Sequence, residues 1–234
     1  MRILCVIPAR GGSKGIPRKN LRHVGGKPLV VWTIEQALGA AAGLDVLVST
    51  DDEEIALLAA GAGADVPFVR PSFLARDESP TEPVVEHAIA FRTEQGRRPD
   101  AVMLLQATSP IRLPGTIDRA VGQFVATDVD SLVGVVPQTP FLWTMGEKPG
   151  AAYAVDARPR RQDLAERDYV YRETGSLYLT RTRVYEEAHN RLGGCIGLFV
   201  MDETEGIDID THVDLVAADL HLSHLHAPGG EPNR

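Results

Sequence analysis

The chain alternates short apolar runs with longer segments of helical periodicity, and this alternation restricts the folds open to it. An apolar run bounded by polar residues predicts a buried strand, and apolar residues three and four positions apart predict a helix. Strands that are separated by helices pair in parallel, because an antiparallel hairpin needs a short turn. We therefore expect an α/β domain with a Rossmann-like, mostly parallel sheet flanked by helices on both faces.

The predicted elements follow from this pattern. The predicted strands are residues 3–7, 44–49, 101–105, 131–136, 176–179 and 196–200. The predicted helices are residues 28–41, 53–60, 82–94, 114–127, 183–188 and 213–220. Residues 50–53 are typical of a capping box that begins with Thr50 and opens the second helix.

The pattern stops between Pro137 and Tyr171. This segment contains several prolines and scattered charges with little periodicity, so we interpret it as a small excursion from the sheet rather than a second domain. Residues 226–234 are rich in glycine, proline and asparagine, which predicts a disordered tail. The expected organisation is one domain over residues 1–225 with an excursion over residues 137–171.

Composition and charge argue against two classes of protein. The 234 residues, 44% hydrophobic and 24% charged, are ordinary for one sizeable globular domain. The net charge of -8 argues against a general nucleic-acid binder, and no apolar run is long enough to span a membrane. Cys5 and Cys195 lie far apart in the sequence and are interpreted as reduced thiols, so we expect a cytoplasmic protein.

A cationic, glycine-rich loop after the first strand is the first candidate site. Residues 9–19 contain three glycines and four cationic side chains. Glycines let the backbone pass close to a ligand, and exposed N–H groups in such a loop form a concavity for anions. The loop matches neither a Walker motif nor a dinucleotide fingerprint. It predicts a polyphosphate site, and a basic surface turn is the alternative interpretation.

Two further segments put polar side chains where α/β proteins bind ligands. Asp208 and Asp210 are two residues apart, so their carboxylates point to the same side of an extended segment and suit Mg²⁺. The alternative is that Asp210 or Thr211 caps the last helix. Residues 104–112 follow a buried strand, and they lie either beside a substrate or in an ordinary turn.

Residues 7–20, which read IPARGGSKGIPRKN, resemble the signature of the CMP-acylneuraminate (sialic acid) synthetases, also called acylneuraminate cytidylyltransferases. Further segments resemble other blocks of that family: residues 70–81, 104–112, 160–162, 171–178 and 206–210. The resemblance implies a nucleotidyltransferase domain that transfers CMP from CTP to the anomeric hydroxyl of a 2-keto sugar acid and releases pyrophosphate. It also implies Mg²⁺ as cofactor and a homodimer in which residues 137–171 supply the dimer contact.

The resemblance further implies roles for individual residues. The catalytic residues that it implies are Arg10, Lys19, Asp208 and Asp210, and the two aspartates are also the implied metal ligands. The implied nucleotide-binding residues are Ala9, Gly11, Gly12, Ser13, Lys14, Asn20, Arg70 and Thr81. The implied substrate-binding residues are Gln106, Thr108, Ser109, Arg172 and Tyr178. From the residues alone, Arg172 is either a partner for a substrate carboxylate or a solvated surface cation.

Departures from the family pattern leave the acceptor open. Glu173 and Thr174 replace the usual asparagine context before Gly175, and Ser176 replaces alanine. Residues 190–192 lack the aromatic pair expected in sialic-acid-specific bacterial members. The acceptor is therefore sialic acid, a nine-carbon relative such as legionaminic or pseudaminic acid, or another acid such as Kdo or a phosphonate. A nucleotide-binding paralogue without activity is the non-enzymatic alternative.

Overall fold

The computed structural model describes residues 1–225 and has the expected alternation of strands and helices. The strands are β1 (Ile3–Pro8), β2 (His23–Val24), β3 (Lys27–Pro28), β4 (Asp45–Ser49), β5 (Ala101–Leu104), β6 (Ser131–Gln138), β7 (Trp143–Thr144), β8 (Gly150–Ala151), β9 (Val170–Arg181) and β10 (Ile196–Val200). The helices are α1 (Leu29–Leu38), α2 (Glu53–Gly61), α3 (Glu82–Glu94), α4 (Thr116–Thr127), α5 (Thr182–Ala188) and α6 (His212–Leu225).

In residues 1–225, six strands form the central sheet in the order β10-β6-β9-β5-β1-β4. β1 pairs in parallel with β4 and β5, β6 pairs in parallel with β10, and β9 runs antiparallel to β5 and β6. All of these described strands except β9 therefore share one direction, which confirms the expected α/β fold. The loops after β1, β4 and β5 meet at the carboxyl edge, where such sheets bind ligands.

The central sheet is covered on both faces. Every residue from Ile3 to Ile7 of β1 is buried, which explains why this strand is a continuous apolar run. One apolar cluster packs α1, α2 and α4 against the sheet, and a second packs α3 and α5 against the opposite face. A third cluster, which includes Ile16, Trp32, Ile209 and Leu222, packs α6 against α1 and the end of the cationic loop.

β9 differs most from the sequence prediction. A short strand at residues 176–179 was expected, but β9 spans Val170–Arg181 and is antiparallel. Its pairing with β6 shifts register between Val133 and Val135, and Gly175 at this bulge has a φ of 71°. A bulge breaks the alternation by which strands are predicted, and glycine adopts a positive φ without strain.

The segment outside the central sheet is shorter than residues 137–171. β6 continues to Gln138 and β9 begins at Val170, so residues 139–169 leave the sheet. This segment contains the β7–β8 ribbon and an aromatic cluster, in which Tyr153 makes edge-to-face contacts with Phe141 at 5.4 Å and Trp143 at 6.0 Å. β6 and β9 are longer than predicted because their ends at this segment are partly exposed and lack strict apolar alternation.

The beginning of α2 corrects the predicted capping box. Asp52 is the N-cap, and its side chain accepts a hydrogen bond from the Ile55 N–H at 3.0 Å. Thr50 instead pairs with Val69 in an isolated bridge, and its hydroxyl accepts from the Asp52 N–H at 3.1 Å. Thr50 is therefore held by pairing beyond β4 and lies two residues before the N-cap position.

The ends of other helices also differ from the predictions. α1 ends at Leu38, earlier than predicted, whereas α6 spans His212–Leu225 and is longer than predicted. The predicted tail at residues 226–234 lies outside the described residues. No helix within residues 1–225 has both the length and the apolar character needed to cross a bilayer.

Candidate functional site

A cavity of about 250 Å³ lies at the carboxyl edge beside β1 and β5. Its walls come from the cationic loop after β1, the loop after β5 and the segment before α3. The sequence-predicted site residues that line it are Arg10, Gly12, Ser13, Lys19, Asn20, Arg70, Thr81, Gln106 and Thr108. The fold therefore brings together residues that are almost a hundred positions apart in the chain.

Two glycines of the cationic loop are required by packing. A Cβ on Gly11 would lie 2.6 Å from Oδ2 of Asp52, and a Cβ on Gly15 would lie 2.7 Å from the carbonyl oxygen of Asp210. Gly12, in contrast, has no atom within 4 Å of the Cβ position and lines the cavity. The backbone at Gly12 is therefore accessible to a ligand, whereas Gly11 and Gly15 let the loop pack against its neighbours.

Both ends of the loop are fixed by hydrogen bonds. The Ala9 N–H donates to the Ser49 carbonyl at 3.0 Å and extends the pairing of β1 with β4. The Asn20 side-chain amide donates to the Arg10 carbonyl at 2.9 Å. Oδ1 of Asn20 is buried and has no hydrogen-bond partner among the described residues. Because a buried acceptor is costly to leave unpaired, this oxygen is available to a donor on a ligand.

Lys19 connects the cationic loop to the aspartate pair. It begins a 3₁₀ turn, Lys19–Leu21, after Arg18, which has a left-handed φ of 53°. The Lys19 ammonium donates to the Ile209 carbonyl and lies 3.4 Å from Oδ1 of Asp210. Its side chain is 13% exposed. This charge is therefore held between the cavity and the segment that carries the aspartates.

Arg10 and Lys14 lie at the mouth of the cavity. The Arg10 guanidinium donates to the Arg76 carbonyl at 3.0 Å and lies 2.9 Å from the carboxylate of Asp77. The Lys14 ammonium is 3.6 Å from the same carboxylate. These two of the four cations in the loop after β1 thus contact the segment before α3.

Arg70 supplies a buried charge to the cavity wall. Its side chain donates to the hydroxyl of Ser49 at 3.1 Å and also to the Ser49 carbonyl. Burial lowers the pKa of Arg70 to about 10, an effect that nearby Asp51 opposes and the positive charge of Arg10 increases. The group stays cationic at neutral pH, so an anion in the cavity would be attracted to it.

Asp208 and Asp210 flank one buried residue in the sequence. Ile209 between them is buried in the third apolar cluster, and its N–H donates to the Thr108 carbonyl at 2.9 Å. Oδ1 of Asp208 accepts a hydrogen bond from the buried Ser109 hydroxyl at 3.2 Å. Alternate residues of an extended segment point to opposite sides, so both carboxylates project away from the apolar cluster.

Thr211 caps α6, which leaves the carboxylate of Asp210 for another role. The Thr211 hydroxyl accepts from the Asp214 N–H at 3.3 Å, and Oδ2 of Asp214 accepts from the Thr211 N–H at 2.7 Å. Within residues 1–225, no group of three or more His, Cys, Asp or Glu side chains forms a complete metal site. Two carboxylates are a donor set that fits Mg²⁺, which completes its coordination with water and phosphate oxygens.

Arg112 is a buried side chain at the site for which sequence reasoning gave no role. Its guanidinium donates to the carbonyls of Gln106 at 3.2 Å and Ser176 at 2.6 Å. Gly175 lies against Gln106, because a Cβ there would be 2.6 Å from Oε1 of that residue. Arg112 therefore fixes the loop after β5 to the bulge of β9. Its position at the end of segment 104–112, which resembles a block of the family, was the signal in the sequence.

Arg172 and Tyr178 lie on β9 and do not line the cavity. Arg172 donates to the Gly206 carbonyl at 2.8 Å. The Tyr178 hydroxyl donates to Glu173, and burial together with this bond raises the pKa of Tyr178. These two predicted substrate residues are therefore separated from the residues that line the cavity.

The family profile described as Cytidylyltransferase matches residues 4–145, which is more than half of the chain. The chain belongs to the cytidylyltransferase family. It is a nucleotidyltransferase, and the resemblance to the CMP-acylneuraminate synthetases is confirmed by its relatives.

Several curated members of the cytidylyltransferase family align over most of the chain. Pseudaminic acid cytidylyltransferase of Campylobacter jejuni is 33% identical over 228 residues, which cover 94% of this chain and 96% of that protein. CMP-N,N'-diacetyllegionaminic acid synthase of Legionella pneumophila is 36% identical over 224 residues, covering 92% and 93%. N-acylneuraminate cytidylyltransferase A of Danio rerio is 33% identical over 226 residues, covering 94% of this chain and 50% of that protein.

Solved structures share the fold of this cytidylyltransferase. A CMP:2-keto-3-deoxy-manno-octonic acid synthetase complexed with CTP superposes with a TM-score of 0.68 at 21% identity, covering 96% of this chain and 100% of that chain. The 4-diphosphocytidyl-2C-methyl-D-erythritol synthase of Anaerococcus prevotii superposes with a TM-score of 0.67 at 13% identity, covering 94% and 96%. The single nucleotidyltransferase domain expected from the sequence is thus confirmed at the level of the fold.

The packing of the cationic loop gives a matched pair of variants. We expect Gly15→Ala to destabilise the protein by about 1–3 kcal/mol, because its Cβ would meet the Asp210 carbonyl. Gly12→Ala adds the same group in open space and should leave the free energy of unfolding unchanged to within about 0.5 kcal/mol. Urea unfolding of both variants measures the difference. Equal stabilities would contradict the close packing of Gly15.

Proposed function

We propose that the protein transfers CMP from CTP to the anomeric hydroxyl of a nonulosonic, sialic-type sugar acid and releases pyrophosphate. The observation that carries this proposal is the cationic wall of the cavity, with Arg10, Lys19 and Arg70, in which Lys19 lies 3.4 Å from the carboxylate of Asp210. The relatives named above as pseudaminic, legionaminic and N-acylneuraminate enzymes support the class of acceptor.

The reaction needs a site that binds negative charge. The acceptor oxygen attacks the α-phosphorus and loses its proton to solvent, the bond from this phosphorus to the bridging oxygen breaks, and the electron pair leaves with pyrophosphate. Charge on the phosphate oxygens is stabilised mainly by positioned cations. Arg10 and Lys19 are suited to this role because both line the cavity and are held by hydrogen bonds.

Backbone and amide groups would position the nucleotide. Gly12 and Ser13 line the cavity, where the absence of a side chain on Gly12 allows close approach to a phosphate. The unpaired Oδ1 of Asn20 would accept a hydrogen bond from the nucleoside. Arg70 and Thr81 complete this part of the wall, and Lys14 approaches it from the mouth.

Asp208 and Asp210 would hold Mg²⁺. A bound Mg²⁺ would neutralise phosphate charge and lower the pKa of the attacking hydroxyl. Ser109 donates to Asp208 and orients that carboxylate, and Lys19 offsets the charge of Asp210. Gln106 and Thr108 line the cavity on the side of β5, and we propose that they contact the acceptor, with Arg172 and Tyr178 of β9 beyond them.

We also propose that the protein forms a homodimer through residues 139–169. The ribbon in this segment exposes Leu142, Trp143 and Met145, with 53% of Trp143 accessible. Exposed apolar residues that are adjacent in space mark interaction surfaces. A second copy of the chain is the partner that the resemblance implies.

The proposed dimer can be tested by measuring the mass of the protein in solution. Light scattering should give twice the mass of one chain, and Trp143→Ser should shift the protein towards the monomer because it removes an exposed apolar group from the ribbon. Val213→Ser removes an apolar residue that is 77% exposed on α6 and should leave the dimer intact. A monomeric wild-type protein, or equal dissociation of the two variants, would contradict the proposal.

Lys19→Ala tests the cationic wall. We expect kcat to fall by about 100-fold or more, because a positioned charge on the phosphates is lost, while the fold is retained. Arg97→Ala is the matched control, since it removes one positive charge from an exposed loop at the opposite edge of the sheet. Pyrophosphate release with CTP measures both. Activity near that of the wild type in Lys19→Ala would contradict the assignment.

The acceptor and the metal are tested in one panel. We expect pyrophosphate release from CTP with N-acetylneuraminic, legionaminic or pseudaminic acid when Mg²⁺ is present, and loss of release with EDTA. Asp208→Asn and Asp210→Asn should lower activity by about 100-fold, whereas Glu203→Gln, an exposed carboxyl on the preceding turn, should not. Release with Kdo alone, or release that is independent of the metal, would contradict the proposal.

A further inference from the structure

The carboxylate of Asp77 already pairs with two cations of the loop after β1. Asp77 is 2.9 Å from the Arg10 guanidinium and 3.6 Å from the Lys14 ammonium, and it lines the cavity. The Arg10 guanidinium also donates to the Arg76 carbonyl at 3.0 Å. We refer to the contacts of Asp77 with Arg10 and Lys14 as the Asp77 latch. It joins the two loops on either side of the cavity mouth.

The segment that carries Asp77 is a defined turn. The Ser79 hydroxyl donates to the Phe73 carbonyl at 2.7 Å, and the Ser79 N–H donates to the Arg76 carbonyl at 3.2 Å. Leu74, at the base of the turn, is buried and also lines the cavity. The turn therefore presents Asp77 to the cationic loop in a fixed direction. The latch is thus supported by the hydrogen-bonded turn as well as by its exposed side chains.

An anionic ligand must compete with this carboxylate. Under the proposed function, Arg10 and Lys14 bind phosphate oxygens of CTP, and this inference rests on that proposal. A guanidinium or ammonium group that faces a carboxylate has fewer donors free for a phosphate. We propose that Asp77 is an internal counter-ion that competes with the triphosphate for Arg10 and Lys14 and thereby sets the affinity of the site for nucleotide and pyrophosphate.

The competition also favours release of the product. Pyrophosphate formed in the cavity would contact the same cations as the phosphates of CTP. Return of Asp77 to Arg10 and Lys14 offsets part of their combined charge, so the departing anion does not leave both cations without a counter-ion. Asp77 thus lowers the affinity for pyrophosphate as well as for CTP.

The strength of the latch fits a reversible role. The side chains of Arg10, Lys14 and Asp77 are 30%, 68% and 37% exposed, so solvent and salt screen their attraction. Partly exposed ion pairs of this kind contribute little individually. A ligand with several phosphate charges can therefore displace one carboxylate, and the expected effect on affinity is severalfold rather than many orders of magnitude.

Asp77→Asn tests the latch, with Glu78→Gln as the control. Glu78 is the adjacent carboxyl, is exposed and does not line the cavity. Calorimetry of CTP and of inorganic tripolyphosphate, without acceptor, should give about 3- to 10-fold tighter binding to Asp77→Asn and unchanged binding to Glu78→Gln. The gain should shrink at high salt because the competing ion pairs are screened. The inhibition constant of pyrophosphate should fall by a similar factor.

The outcomes separate this inference from the proposed function. Unchanged or weaker binding of both anions to Asp77→Asn would contradict the proposed competition. Asp77 would then either have no effect on anion binding or orient the cations for it. Asp77→Ser repeats the test if Asn disturbs the turn. Since no acceptor is present, a wrong acceptor does not affect the result. If the wild type binds tripolyphosphate but not CTP, the proposal that CTP is the nucleotide is wrong. The effect of Asp77 on anion binding is then still measured with tripolyphosphate.

Hydrogen exchange tests the latch without any ligand. The backbone of residues 72–79 should exchange faster in Asp77→Asn than in the wild type or in Glu78→Gln, because the contacts that tie this turn to the cationic loop are lost. Equal exchange in the three proteins would overturn the claim that Asp77 joins the two loops.

Discussion

The buried guanidinium of Arg112 joins the segments on which the site is built. It donates to the carbonyls of Gln106 and Ser176, and on α1 to Thr33 at 3.2 Å and Gln36 at 3.0 Å. Burial of a charge is costly unless hydrogen bonds satisfy it, and here the four partners are neutral oxygens on three segments. Burial lowers the pKa of Arg112 to about 10, so the group remains charged at neutral pH. Arg112 therefore holds the loop after β5 against the bulge of β9, together with Ser109, whose hydroxyl donates to the Thr174 carbonyl at 3.3 Å.

In the free protein, carboxylates of the chain already offset part of the positive charge that a nucleotide would meet. Lys19 faces Asp210, and Arg10 and Lys14 face Asp77. Like charges that are held close together repel, so a cationic wall without counter-ions would be destabilising. The two carboxylates differ in what they would do when a ligand binds. Asp210 belongs to the segment that we propose holds the metal, whereas Asp77 has no such partner and must yield to the phosphates.

Local signals explain which features the sequence could predict. α3 was predicted with its observed bounds, Glu82–Glu94, because a helical pattern follows a proline-rich turn and ends before a polar loop. The bounds of β9 were not predicted, because a bulge with Gly175 at positive φ interrupts its alternation and its first four residues are only partly buried or exposed. The cationic loop is contiguous and could be recognised from its residues. The latch could not be recognised from the sequence, because Asp77 and Arg10 are 67 positions apart. Nothing in the neighbouring sequence distinguishes Asp77 from Glu78.

The two halves of the site also differ in whether they depend on contiguous sequence or on long-range contacts. The nucleotide half depends on one short loop, whose glycines and cations are adjacent in sequence, and family resemblance is therefore strong there. The half towards β9 depends on long-range contacts: Tyr178 donates to Glu173, and the Arg191 guanidinium lies 5.1 Å from the ring of Tyr178 while its Nε donates to Glu82 at 2.6 Å. Under the proposed function, a substitution at these positions would change the surroundings of the acceptor without affecting the cationic loop. Relatives named for different sugar acids could therefore share the nucleotide half, and we propose that residues around Tyr178 contribute to the choice of acceptor.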